Sequence, residues 1–425
     1  MKKTALRRDL NLFAAVGVGL GAIIGAGIFV VTGVAAGVAG AAFLVGLLIA
    51  GVVAAFNALS SAQLAARYPQ SGGTYEYGYR VLHPWLGFAA GWMFLASKLA
   101  AGGTVALGFA GYLNALIPGI PERPAAVAAV IVLTLINYFG VQKTGLLNNA
   151  IVSISVLSLL LFAVTGLPSM DMDNFQPFAP AGMGGILQSA ALLFFAYTGY
   201  ARLATLGEEV REPRKTIPRA IILALVIAAV LYAAVAAVAV GNLGAQGMAA
   251  SASPIEAAAE TFRWPQVSRL VAVGATTAML GVLLSQILGI SRMIFAMARR
   301  HDLPPVLAHV HPTYAVPDWG IFLTAAAMLL VVLLGTLEVI ISTAAFTILL
   351  YYSIANLAAL RMQPEDRLYP TWVPVLGLIS CLALAATLEP AVIASGLALL
   401  AAGFVLRWIF HRIFGEPQPS ALEKS

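Results

Sequence analysis

Gly17-Val18-Gly19-Leu20-Gly21-Ala22-Ile23-Ile24-Gly25-Ala26-Gly27-Ile28-Phe29 puts five glycines into eleven residues of an apolar run that begins near residue 12. A run of this length and apolarity reads as a membrane-crossing helix, because about 20 residues at 1.5 Å each span a hydrocarbon core of roughly 30 Å. A helix with this many glycines is weak, since each interior glycine costs about 1 kcal/mol relative to alanine. Inside a bilayer, broken backbone is tolerated only where its freed polar groups face protein or a water-filled cavity. Gly25-Ala26-Gly27 can therefore present N–H groups at the start of a half-helix, where donors and dipole together suit a carboxylate. The spacing Gly21-xxx-Gly25 also permits close packing of two helices through small residues.

Comparable apolar runs recur along the chain, which is 60% hydrophobic and 10% charged over 425 residues. Soluble domains carry about 25% charged residues, so water is not the solvent for most of this chain. Twelve helices are expected, centred near residues 23, 52, 98, 131, 156, 196, 230, 280, 328, 349, 378 and 400. Met1, Lys2, Lys3, Arg7 and Arg8 precede the first run, and no small-residue cleavage pattern with a hydrophilic domain follows it. The first run is therefore expected to be a retained helix. Of the 24 Lys and Arg, Lys98 and Arg202 fall within spans, and Arg123, Arg263 and Arg269 fall in odd-numbered loops. The rest lie in the terminal segments and even-numbered loops, which puts both termini in the cytoplasm, in a plasma or inner membrane. The net charge of +6 is accounted for by that asymmetry, so no nucleic-acid partner is expected. Cys381 is the single cysteine and can form no intrachain disulfide.

A second irregular stretch, Phe194-Phe195-Ala196-Tyr197-Thr198-Gly199-Tyr200-Ala201-Arg202, lies in the sixth span. Interrupted segments at corresponding positions of two halves mark the midplane site of a solute carrier, and spans one and six correspond if five helices repeat after five. Other chemistries lack their residues. His83, His301, His309, His311 and His411 fall at span ends or in loops, with His309-Val310-His311 the one close pair. No phosphate-binding loop, Ser/His/acid constellation or paired carboxylate is present, so neither an enzyme nor a cofactor is expected.

Four stretches carry a resemblance. They are Gly21 to Phe29; Ala62-Gln63-Leu64 with Arg67 to Tyr75; Phe194 through Tyr200 to Arg219; and Gly289-Ile290-Ser291-Arg292 with Ala296 to Arg299 and Leu303-Pro304. In this order they resemble the amino acid/polyamine/organocation (APC) superfamily of transporters. The resemblance implies an all-α integral membrane fold of about twelve spans, with two inverted five-helix repeats in the LeuT-like arrangement and helices one and six broken. The expected boundaries are a tail at 1–11, a transmembrane domain at 12–413 and a tail at 414–425. Within that domain the repeats cover about 12–167 and 184–362, with peripheral helices at 368–413.

The resemblance further implies alternating access, with the solute carboxylate held by backbone groups at Ile24, Gly25, Ala26 and Gly27. It places the solute ammonium near carbonyls of Ile23 and of Phe195, Ala196 and Tyr197, beside Gly199, with Phe195 closing over the solute. Many proton-linked relatives carry a lysine where this chain has Ser155. Here Lys98 is the ionisable residue in the middle of a span, a position that normally marks function. It is expected to serve ion coupling or to meet a substrate charge. Sodium is the other candidate, with hydroxyls from Thr276, Thr277 and Ser285, although such hydroxyls also bond to their own helix. Arg202 with Glu208 or Glu209 is a candidate gate. No acidic residue falls in the middle of a span, which favours a neutral, hydrophobic amino acid over a dication. The expectation is a proton-coupled secondary transporter. The alternatives are an amine, polyamine or amino acid exchanger and, from another class, an amino-acid-gated receptor or channel.

Overall fold

A computed structural model describes residues 11–68, 72–140, 145–204, 210 and 212–415. The described chain is helical, without a strand among the described residues. The helices are α1 (Leu12–Ile23), α2 (Thr32–Ala39), α3 (Phe43–Arg67), α4 (Thr74–Tyr77), α5 (Pro84–Leu116), α6 (Glu122–Tyr138), α7 (Gly145–Gly166) and α8 (Gly182–Tyr197). They continue as α9 (Ala201–Ala204), α10 (Pro213–Ala250), α11 (Pro254–Glu260), α12 (Val267–Arg299), α13 (Asp318–Leu334), α14 (Leu337–Leu360), α15 (Trp372–Ala386) and α16 (Pro390–Phe414). Each of the twelve expected centres falls on one of these helices.

Among the described residues, seven stretches are long and apolar enough to cross a bilayer: Leu12–Arg67, Pro84–Leu116, Asn149–Ser169, Lys215–Ala250, Val267–Arg299, Leu337–Leu360 and Pro390–Phe414. Asp318–Leu334 and Trp372–Ala386 are shorter apolar helices. Leu48, Val52, Leu157, Val164, Val230 and Leu334 are exposed, as expected of helices whose outward faces meet lipid rather than water.

Local chemistry sets the helix ends. Asn11 caps α1, its Oδ1 accepting the Ala14 N–H at 2.9 Å. At the other end Ile24 leaves the helical region (φ −75°, ψ 109°), with its N–H still bonded to the Leu20 carbonyl at 2.8 Å. A π-helical turn, Gly27–Val31, then leads into α2. α8 stops at Tyr197 and passes through a 3₁₀ turn, Thr198–Tyr200, into α9. Both expected irregular stretches are thus interruptions of helices.

The two interruptions touch. A Cβ added to Gly27 would lie 2.5 Å from Ala196 Cα, and one added to Gly199 would collide with the Ala22 carbonyl. Only glycine lets these backbones approach so closely. The packing and broken-helix readings of the glycines therefore apply together: Gly27 and Gly199 close the crossing, while Gly25 lies beside Val282 of α12.

Several polar side chains inside the bundle pair with one another across helices. Asn356 of α14 donates to Asn57 Oδ1 of α3 at 2.6 Å, and the Cys381 thiol of α15 lies 3.2 Å from the same oxygen. Cys381 is thus a buried packing residue tying α15 to α3. Arg407, which the sequence reading counts among loop cations, lies within α16 and is 3% exposed. It donates to Asp302 Oδ1 at 2.8 Å, and Asp302 is itself fully buried. Tyr75 Oη donates to Asp302 at 2.8 Å, and Tyr79 makes a short hydrogen bond to the same carboxylate. Beside them Glu76 pairs with Arg80 at 2.5 Å and with Arg300 at 2.7 Å. This cluster joins the α4 segment, the turn after α12 and the last helix.

Candidate functional site

At the crossing of the two interruptions the chain encloses a cavity with four walls. The end of α1 and its interruption contribute Ala22, Ile23, Gly25, Ala26 and Gly27. The α8 interruption contributes Phe195, Ala196, Thr198 and Gly199. α5 supplies Lys98 and Val105, and α12 supplies Val282 and Gln286. The enclosed volume is about 30 Å³, room for a water or two and far below the roughly 300–1,000 Å³ of ordinary small-molecule pockets. A solute the size of an amino acid enters only if the walls separate.

Each wall offers a different chemistry. Gly25, Ala26 and Gly27 open a new helical piece, so helix geometry supplies their N–H groups with no upstream carbonyl. Together with the helix dipole they form a donor-rich, electropositive wall. Lys98 is the ionisable group among the lining residues. Its Nζ lies 5.8 Å from the centroid of the Phe94 ring, and among the described residues no carboxylate pairs with it. The remaining lining is apolar apart from Thr198 and Gln286.

Not every expected residue reaches the cavity. Ile23, Gly25, Ala26, Gly27, Phe195, Ala196, Gly199 and Lys98 line it, whereas Ile24 and Tyr197 do not. The Tyr197 hydroxyl donates instead to the Leu47 carbonyl of α3 at 3.4 Å. Two of the four carbonyls expected to meet an ammonium accept a side-chain hydroxyl: Tyr232 Oη donates to Ile23 O at 2.8 Å, and Thr198 Oγ1 donates to Phe195 O at 2.9 Å. Of the hydroxyls considered for sodium, Thr276 donates to Ala272 O at 2.6 Å and Thr277 to Val273 O at 2.7 Å, each one turn back along α12. Ser155 donates to Ile151 O at 2.8 Å and approaches Gly274 O of α12 at 3.4 Å. Ser285 is half-buried on α12, one residue before Gln286. Arg202 is exposed in α9, and Glu208 and Glu209 lie outside the described residues. The close histidine pair serves a loop, with His309 Nδ1 2.9 Å from Asp318.

Gln286, Val105, Val282 and Thr198 were not singled out in the sequence. A glutamine within the apolar helix α12 was the available signal, because a buried amide needs partners. A second, larger cavity of about 410 Å³ lies elsewhere, bordered by Asn114, Glu122, Ser253, Glu256 and Glu260. Burial, with Glu260 alongside, holds the Glu256 carboxyl above the usual carboxylate range.

Comparison with known proteins agrees with this architecture. A family model described as amino acid permease matches residues 15–411. An uncharacterized transporter of Mycobacterium tuberculosis is 42% identical, with 94% of this chain and 90% of that protein covered. A methylthioribose transporter of Bacillus subtilis is 34% identical, with 89% and 87% covered. A branched-chain amino acid permease of Bacillus subtilis is 29% identical, with 96% and 94% covered.

Proposed function

Because the chain belongs to the amino acid permease family, we propose that it is a secondary active transporter of neutral, hydrophobic amino acids, working by alternating access and coupled to protons. Family membership makes it a multi-pass membrane transporter and not an enzyme. The finer reading rests chiefly on the cavity where the two helix interruptions cross, beside Lys98. Its donor-rich wall suits a carboxylate, and the lining Val105, Val282 and Phe195 suit an apolar side chain.

The helices group into twelve crossings when α1 with α2, and α8 with α9, each count as one broken span and the short α4 and α11 are set aside. That grouping is the basis for proposing two inverted repeats, at about 12–167 and 184–362, with peripheral helices at 368–413. The Lys and Arg asymmetry supports a protein of the cell membrane with cytoplasmic tails at 1–11 and 414–425. Since the cavity is too small for its solute, loading and release require α1 and α8 to move against α5 and α12. Such motion gives access from one side at a time.

Lys98 is the residue we assign to coupling. It faces the cavity without a carboxylate partner, and a lysine there can exist with or without its proton. Purified protein in proteoliposomes should accumulate a neutral amino acid when an inward pH gradient is imposed, without sodium. Lys98→Ala should lose the response to the gradient and retain some exchange. Accumulation by Lys98→Ala that still follows the gradient would move coupling elsewhere, and a sodium requirement in the wild type would replace the proton. Dissipating flux without saturation would favour the channel. A second reading, a sugar thioether as solute, is favoured by the methylthioribose transporter's similarity.

A further inference from the structure

We propose that the Tyr112 hydroxyl is the latch that holds the cavity shut on its outer side, an assignment that rests on the alternating-access reading above. Tyr112 is fully buried near the end of α5. It stands two turns beyond the cavity-lining Val105, about 10 Å along the helix. In the orientation proposed above, that direction leads out of the cell. Its single hydroxyl joins two other segments. It donates to the Phe29 carbonyl at 2.7 Å, within the π-helical turn that begins at Gly27. It also accepts the Ile255 N–H at 3.3 Å, in the first turn of α11, where helix geometry leaves backbone donors without carbonyls.

The three segments meet through glycines. A Cβ at Gly108 would lie 2.6 Å from Val30 Cγ2, one at Gly111 would lie 3.1 Å from Ala252 Cβ, and one at Gly33 would lie 2.7 Å from the Met248 carbonyl. The second half of the broken first helix, α5 and the chain leading into α11 are thus packed tightly against one another. Gly111, Ala252 and Ser253 also border the second cavity, of about 410 Å³. The junction therefore stands between the small cavity and a space large enough for a solute. A solute passing from one to the other must part these segments, and parting them breaks both hydrogen bonds of Tyr112. Because one hydroxyl makes both bonds, α11 and the wall that carries Gly27 close together.

The experiment reads opening from the outer side. Val105→Cys places a thiol in the cavity wall, and a charged, membrane-impermeant methanethiosulfonate is applied to intact cells. Protein that keeps only Cys381, which is fully buried, sets the background. Tyr112→Phe keeps the ring and its edge contact with Phe29, 5.7 Å between centroids, and removes both bonds. Labelling of Val105→Cys should become about tenfold faster in Tyr112→Phe, the population shift expected from losing one or two hydrogen bonds. An unchanged rate would overturn the latch, and so would an equal rise at Cys381, which would mean general loosening. A second variant tests the parting itself. Gly111→Cys with Ala252→Cys brings two Cβ positions 3.1 Å apart, near the roughly 3.5–4.5 Å that a disulfide spans. Oxidation should stop L-leucine uptake and reductant should restore it. Uptake as fast in the cross-linked protein as in the reduced one would contradict the proposal. A wild type without saturable uptake would overturn the alternating-access reading itself, and the latch with it.

Discussion

Gly25→Val is expected to abolish solute binding and uptake while the protein still folds. The glycine lines a cavity of only about 30 Å³, and its nearest neighbour is the Val282 side chain, 3.0 Å from where a Cβ would stand. Valine would fill the space and shield the N–H groups that receive the carboxylate. Because the obstacle is the end of one side chain, the surrounding helices can adjust. Gly27→Val is the companion variant, and it should also lower stability, since its Cβ would meet the Ala196 backbone at 2.5 Å. Overpacking of that kind typically costs about 1–3 kcal/mol. Leucine binding and thermal unfolding of both variants check the pair. Unchanged affinity in folded Gly25→Val would remove the carboxylate from this wall.

The second large effect is expected at Arg407. Arg407→Met keeps much of the side-chain volume but leaves the Asp302 carboxylate, fully buried, with the two tyrosine hydroxyls and the His411 ring, whose Nε2 is 3.5 Å away, and without its guanidinium. Breaking a buried ion pair from one side typically costs about 3–5 kcal/mol. Arg407 also lies over the rings of Trp85 and Phe88, at 4.8 and 5.1 Å, so its removal loosens the start of α5 as well. A large fall in unfolding temperature is expected for Arg407→Met. The double variant Arg407→Met with Asp302→Asn should recover part of it, because the stranded charge is gone. A single variant as stable as wild type would mean that the pair contributes little to holding the last helix.

What could be read from the sequence was whatever is written in one short stretch. The interruption of the first helix is legible because glycines crowd residues 17–27, and the second because Gly199 stands among aromatics within an apolar run. Lys98 declares itself as an ionisable residue in an apolar run. By contrast, the orientation of Tyr197 depends on how α8 is rotated against α3, which no local pattern records. Tyr232, capping the Ile23 carbonyl, is brought in from 209 residues away. Arg407 and Asp302 are 105 residues apart, and an arginine near the end of the last span reads equally well as a loop cation. Gln286 is a single amide in a helix that otherwise looks like lipid-embedded packing. Its place among the cavity-lining residues appears only when α1, α5 and α8 are placed around it.

The most direct measurement for the whole account is a thermal-shift screen of the purified protein against the proteinogenic amino acids, common amines and polyamines, and methylthioribose, with and without sodium and at two pH values. The account predicts stabilisation by a narrow set of neutral, hydrophobic amino acids, independent of sodium and absent in Gly25→Val. Stabilisation by amines or methylthioribose alone would contradict it.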